Sequence, residues 1–306
     1  MADMYPLRVE INEENILKLQ KVYKAAQLEI EKEITGATDF GVANRKAILA
    51  QIDAILEELA AQTDEFIQKE LPLYYENGAA IANRQLKNVG APVNLKEGFN
   101  RIHKEAVAAI VDETSRAFAE SLTGITRNAN TLLGKYVREQ ITQRMAKGII
   151  GGEALKDVKN GIKSVIQEQG VTMFIDRGGK SWSLDRYTEM LFRTKAVEAR
   201  NRGLANRMAE YEYDLVQVSD HLGECELCRP WEGRILSVTG ATKGYPTVAE
   251  AEANGLFHPN CRHAINALIP SLAKETRAYY PEEKTRVISK AEIEKATKLG
   301  RPSLPK

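Results

Sequence analysis

The stretch that decides the reading of this chain lies between Ser219 and His263: SDHLGECELCRPWEGRILSVTG (219–240), a connector, then GLFHPNCRH (255–263). It holds all three cysteines, Cys225, Cys228 and Cys261, and three of the four histidines, His221, His258 and His263. Such clustering has a chemical cause. Cys225 and Cys228 form a C-x-x-C pair, and His258 and Cys261 form an H-x-x-C pair further along. Two short ligand pairs on two turns, brought together by the chain between them, is the usual construction of a structural zinc site.

Thiolates and neutral imidazoles are good donors to a borderline-soft ion that accepts tetrahedral geometry. The expected ligands are Cys225, Cys228, His258 and Cys261, with His263 and His221 as substitutes for His258. Other readings stand beside the metal. Cysteines are often simply small buried residues, C-x-x-C can be a redox pair, and the H-P-N segment can be only a turn. An odd cysteine count argues against a pure disulfide framework and for a reducing compartment.

On either side of this stretch the texture differs. Residues 1–165 read as an α-helical region, a candidate docking element. From Asn12, a plausible N-cap, Ile16, Leu19, Tyr23, Ala26, Ile30 and Ile34 step by three and four, and Thr35-Gly36 ends the stripe. Ile48, Ile52, Ile55, Leu59 and Phe66 continue the pattern. Leu71-Pro72 predicts a break and a restart. The following segment carries Gly78, Ala79, Ala80 and Ala82, small enough for close packing against a neighbour. Asn94 with Glu97 predicts a cap, opening a helix on Ile102, Val107, Ile110, Val111, Phe118 and Leu122. Further helices are expected at about Thr126–Ala146 and Ala154–Gln169.

Residues 166–270 read as a small α+β module, so the fold class is α+β with a mainly helical N-terminal region. VTMFIDRGGKSWSL predicts strand, glycine turn and strand. Its GGKS lacks the earlier glycine of a phosphate loop, because Phe174 stands there. Ser183 then opens a helix whose broad face is Tyr187, Leu191, Thr194, Val197 and Leu204. DLVQV (214–218) and RILSV (234–238) predict two strands flanking the cysteine pair, and AINALIP predicts a third. Residues 271–306 form a charged tail with a Pro-x-x-Pro near its end.

The chain has 306 residues, 43% hydrophobic and 28% charged, with 43 basic against 42 acidic side chains. That composition is ordinary for a soluble globular protein and lacks the basic excess of a dedicated nucleic-acid binder. No apolar run reaches the length of a membrane span. The N-terminus has no positive flank followed by an apolar stretch, so no secretory signal is expected. Ser219, Asp220 and His221 are adjacent, but a triad is defined by space and roles, not by sequence neighbours.

In the order FIDRGGKSWSLDRYTEMLFRT, LVQVSDHLGECELCRPWEGRILSVTG and GYPTVAEAEANGLFHPNCRH, the chain resembles tailed-phage minor capsid proteins of the minor capsid protein 2 type. These are similar to head-morphogenesis proteins related to the F protein of phage Mu. The resemblance rests on the turn from Asp176 to Trp182, the helix start from Tyr187 to Thr194, and the S-D-H, C-x-x-C, P-W-x-G and H-P-N-C-R-H elements. It implies a structural virion component, not an enzyme, held at the portal vertex and assisting head assembly or genome delivery. The implied partners are the portal protein, other capsid proteins and the packaged DNA. The implied location is the capsid, after assembly in the host cytoplasm. The alternative from the residues themselves is a zinc-dependent nucleic-acid-binding protein or nuclease, with His221 and Asp220 or Glu224 activating water.

Overall fold

In the computed structural model the described residues are 6, 8–37, 41–88, 90–91, 99–134, 155–168, 170–175, 181–220 and 227–268. Among the described residues six α-helices and five short strands form the regular structure. The elements are α1 (Glu13–Gly36), α2 (Val42–Asn88), α3 (Arg101–Leu132), α4 (Leu155–Glu168), β1 (Met173–Ile175), β2 (Ser181–Ser183), α5 (Leu184–Glu210), β3 (Leu215–Val218), β4 (Ile235–Ser237), α6 (Val248–Ala253) and β5 (Ile265–Ala267). This is the α+β class expected from sequence, with a mainly helical N-terminal region. Among the described residues no helix is long and apolar enough to cross a membrane.

The chain forms two compact units, each drawn from separate segments: Asn12–Gln68 with Asp112–Met190, and Met1–Ile11 with Lys69–Val111 and Leu191–Lys306. In the first unit, Asn12 caps α1 by accepting from the Asn15 N–H at 3.2 Å. The stripe Ile16, Leu19, Tyr23, Ala26, Ile30 and Ile34 is buried, as its spacing requires. Tyr23 lies against Phe118 of α3 and its hydroxyl meets Thr63 of α2 at 3.1 Å. Glu31, nearly buried, is paired with Lys163 of α4 at 2.7 Å. β1 and β2 form the expected antiparallel pair, with Phe174 stacked on Tyr187.

Several helix expectations are corrected. α2 runs 47 residues straight through Pro72. Ile67, Leu71 and Tyr75 are each almost fully buried on one stripe across that position. Burying three such side chains stabilises by about 1.5–3 kcal/mol each, more than the roughly 3 kcal/mol that an interior proline costs. The N-terminal part of α2 buries Ile48, Ile52, Leu56, Leu59 and Thr63, while Ile55 and Phe66 are half-buried. α3 is capped by Asn100, whose side chain accepts from the His103 N–H at 3.2 Å. The proposed cap at Asn94 lies outside the described residues, and Ile102 is exposed. α3 also continues through Gly124 to Leu132, so no new helix starts at Thr126. The remainder of that expected helix is outside the described residues.

In the second unit, β3 is the centre of a three-stranded antiparallel sheet in the order β4-β3-β5. Its core joins Ile81 and Leu86 of α2 with Leu204 and Met208 of α5, Val216 and Val218 of β3, Trp231, Leu236 and Ile265. α2 and α5 touch backbone to backbone where Gly78 meets Arg200 and Gly203 meets Tyr75. The small residues at 78–82 therefore do serve close packing. The expected face of α5 holds in its C-terminal part, where Val197 and Leu204 are buried, but Tyr187, Leu191 and Thr194 are only half-buried, and Phe192, Ala196, Ala199, Arg200 and Gly203 are buried beside them.

Candidate metal centre

Cys228 sits in the connection from β3 to β4, at the entry to a single 3-10 turn, Arg229–Trp231. Pro230 suits that turn because its fixed φ is helical and its missing N–H would have no partner there. The Trp231 N–H closes the turn on the Cys228 carbonyl at 2.8 Å, and the Trp231 ring is buried in the core. Glu232 follows, and Gly233 takes a positive φ of 69°, a left-handed geometry that turns the chain into β4. Cys261 and His263 arrive from the other side, just ahead of β5. The His258–Cys261 turn is closed by the Cys261 N–H donating to the His258 carbonyl at 2.9 Å. Asn260 within it has φ 66°, a conformation that asparagine tolerates better than most residues.

These two turns bring Cys228, Cys261 and His263 together, with all their ligand atoms within 4.8 Å of one another and all three residues buried. The sulfurs of Cys228 and Cys261 are 3.6 Å apart. The Cys261 sulfur is 3.2 Å from His263 Nδ1. His263 Nε2 lies 2.8 Å from Glu232 Oε1, and Glu232 is only 2% exposed. His258 stands outside this group, half-buried, with Nδ1 2.8 Å from its neighbour's Pro259 carbonyl. Cys225 and His221 lie outside the described residues.

Charge is arranged to match. A hydrogen bond from Cys228 is the largest influence on Cys261 and lowers its pKa; burial opposes this, and His263 adds to the lowering. Burial alone would lower the pKa of His263, but the bonds to Cys261 and Glu232 outweigh it and raise it. A thiolate, an imidazole with both nitrogens engaged and a carboxylate thus stand in line. Nucleophile, base and orienting acid are arranged in this way in cysteine hydrolases. Here Cys261 is 5% exposed and Cys228 crowds its sulfur, so the thiolate is enclosed instead of presented to a substrate.

Residues that carry no ligand signature hold the site in place. β5 pairs with β3 on one edge, and its other edge is met by side chains. Asn201 Oδ1 accepts from the Ile265 N–H at 3.2 Å, and its Nδ2 donates to the His263 carbonyl at 3.1 Å. Arg200 donates to the Ile265 carbonyl at 2.6 Å. Gln85 accepts from the Ala267 N–H at 2.8 Å. Sequence reading passed over these residues and Glu232. The available hint was polar residues at positions that helical spacing puts on a buried face: Gln85 one residue before Leu86, Arg200 and Asn201 one turn before Leu204.

The family model described as phage minor capsid protein 2 matches residues 19–301 of the chain. A protein of Lactococcus phage LL-H named "Structural protein" is 20% identical over 247 residues, covering 74% of this chain. The aligned region spans 66% of that relative's length. No solved structure matches the chain.

Proposed function

Because the chain belongs to the phage minor capsid protein 2 family, we propose that it is a structural component of the virion that associates with the portal vertex and assists head assembly or genome delivery. It acts by binding other phage structural proteins and catalyses no reaction. The observation that carries this reading is the family match across residues 19–301, which takes in both compact units. The phage structural protein that aligns over three quarters of the chain supports it.

The helical N-terminal region offers the docking surface. Leu17 and Leu28 of α1 are 53% and 50% exposed. Roughly three turns separate them, so they project from the same side of the helix. A partner seated on that side would remove both leucines from water.

The test is assembly of procapsids with and without the portal protein, followed by quantitation of the full-length chain in the purified particles. Incorporation that depends on the portal is the expected result. Equal incorporation without the portal overturns the portal assignment, and absence from both particle types overturns the virion role. A Leu17→Glu, Leu28→Glu variant that folds normally and enters particles as well as the parent would remove α1 as the docking face.

A further inference from the structure

We propose that Cys228, Cys261 and His263 hold one zinc ion in a structural site, with Glu232 fixing the histidine from behind. The spacing already suits the ion. Zn–S bonds of about 2.3 Å and a Zn–N bond of about 2.0–2.1 Å, at tetrahedral angles, put two sulfurs about 3.8 Å apart and sulfur and nitrogen about 3.6 Å apart. The observed separations are 3.6 Å and 3.2 Å. Small outward adjustments of the side chains make room for the metal, and the three residues supply three of its four tetrahedral positions.

Glu232 is the independent observation. A carboxylate 2% exposed is costly to bury unless it is engaged by a cation or by strong donors. Its oxygen lies 2.8 Å from His263 Nε2, while Nδ1 faces the Cys261 sulfur at 3.2 Å, the side from which an ion would be ligated. This carboxylate–histidine–metal arrangement sets the tautomer and strengthens the imidazole as a donor. Two thiolates and one imidazole select a thiophilic ion over magnesium or calcium.

The metal would also have mechanical work in the fold. Cys228 belongs to the β3–β4 connection, and Cys261 and His263 lead into β5. Each strand is only three or four residues long. An ion bridging the two turns closes the loop between them and locks both neighbours of β3 in register. Because a preformed ligand set is absent from the unfolded chain, binding free energy becomes folding free energy. The burial of all three ligand residues suits a structural role, since a catalytic ion needs a position open to substrate.

The experiment uses the full-length protein, purified under reducing conditions without chelator, with metal content measured by elemental analysis. One zinc per chain is expected, lost in Cys261→Ser and in His263→Ala. Glu232→Gln is expected to keep the zinc but bind it about 10–100-fold more weakly in competition with a chromophoric chelator. Should the ligand variants fail to fold, cobalt substitution of the parent protein supplies the second measurement. A thiolate-to-cobalt charge-transfer band with strong tetrahedral transitions supports the site. Folded, reduced protein that contains no zinc, takes up none when it is added and shows no such cobalt band overturns the proposal. So does zinc that remains at full occupancy and affinity in Cys261→Ser and His263→Ala.

Discussion

Gly78 of α2 and Gly203 of α5 each stand where a single added carbon would collide with the facing helix. A Cβ on Gly78 would lie 1.9 Å from the Arg200 carbonyl oxygen, and one on Gly203 would lie 2.1 Å from the Tyr75 carbonyl oxygen. Both obstacles are backbone, so no side chain can swing aside. Gly203→Ala should therefore destabilise by about 3 kcal/mol or more, the upper end of overpacking. Gly124 is the internal comparison: it lies within α3 with nothing within 4 Å of a built Cβ. Gly124→Ala should stabilise by about 0.5–1 kcal/mol, the helix-propensity gain. Urea denaturation of the two variants decides it. Equal effects of the same sign would show that the helices are not in close contact at Gly203.

The inner edge of β5 depends on side chains in place of a fourth strand. Asn201→Ala removes the acceptor of the Ile265 N–H and the donor to the His263 carbonyl. Leaving buried backbone groups unsatisfied costs about 1–3 kcal/mol. Amide hydrogen exchange should accelerate at Ile265 and spread to Ala267 in the variant. Unchanged protection at Ile265 would mean that another donor or water takes over the role of Asn201.

Asp214 organises the turn after β4. It accepts from the Ser237 hydroxyl at 2.6 Å, the Thr239 N–H at 2.7 Å, the Thr239 hydroxyl at 2.6 Å and the Thr242 N–H at 2.9 Å. Burial pushes its carboxyl up, but these bonds outweigh that and hold it well below the usual carboxylate range. The folded-state value lies below the unfolded one. The stabilisation is therefore present at neutral pH and is lost as the solution is acidified below about pH 4. Asp214→Asn should cost about 1 kcal/mol at pH 7, at the low end because the group is partly exposed. Its difference from the parent should shrink towards pH 3. A difference that stays constant over that range would remove Asp214 from the acid response.

Pro72 interrupts the hydrogen-bond ladder inside α2. Pro72→Ala restores an N–H that a regular helix pairs with the Gln68 carbonyl. Some of the gain is returned through the freer unfolded chain, roughly 0.4–1 kcal/mol. The net expectation is a rise of about 2–2.5 kcal/mol, seen as a higher melting temperature. A fall would mean that contacts of the ring itself are worth more than the missing bond.

Element types were legible in the residues because helix and strand periodicities are local. The stripe from Ile16 to Ile34, the pairing of DLVQV with RILSV and the strand in AINALIP all follow from spacing and punctuation. The small residues at 78–82 announced a close neighbour but could not name Gly203 as the point of contact. Local rules failed where packing overrode them: Leu71-Pro72 read as a break and Thr126 as the start of a new helix, yet both lie inside continuous helices.

For the cysteine and histidine cluster, residue types and pair spacing pointed to thiolate and imidazole chemistry from sequence alone. Which atoms converge was decided only in three dimensions. His258 and His263 flank the same cysteine, yet the turn at Asn260 and the entry into β5 carry His263, not His258, to the sulfurs of Cys228 and Cys261. Glu232 gave no sign of its role, because a carboxylate acquires one only from what it is buried against. Periodicity is a property of neighbouring residues and so is written in the sequence. Convergence of segments some thirty residues apart, and the desolvation that makes one buried carboxylate matter, are properties of packing and exist only once the chain has folded.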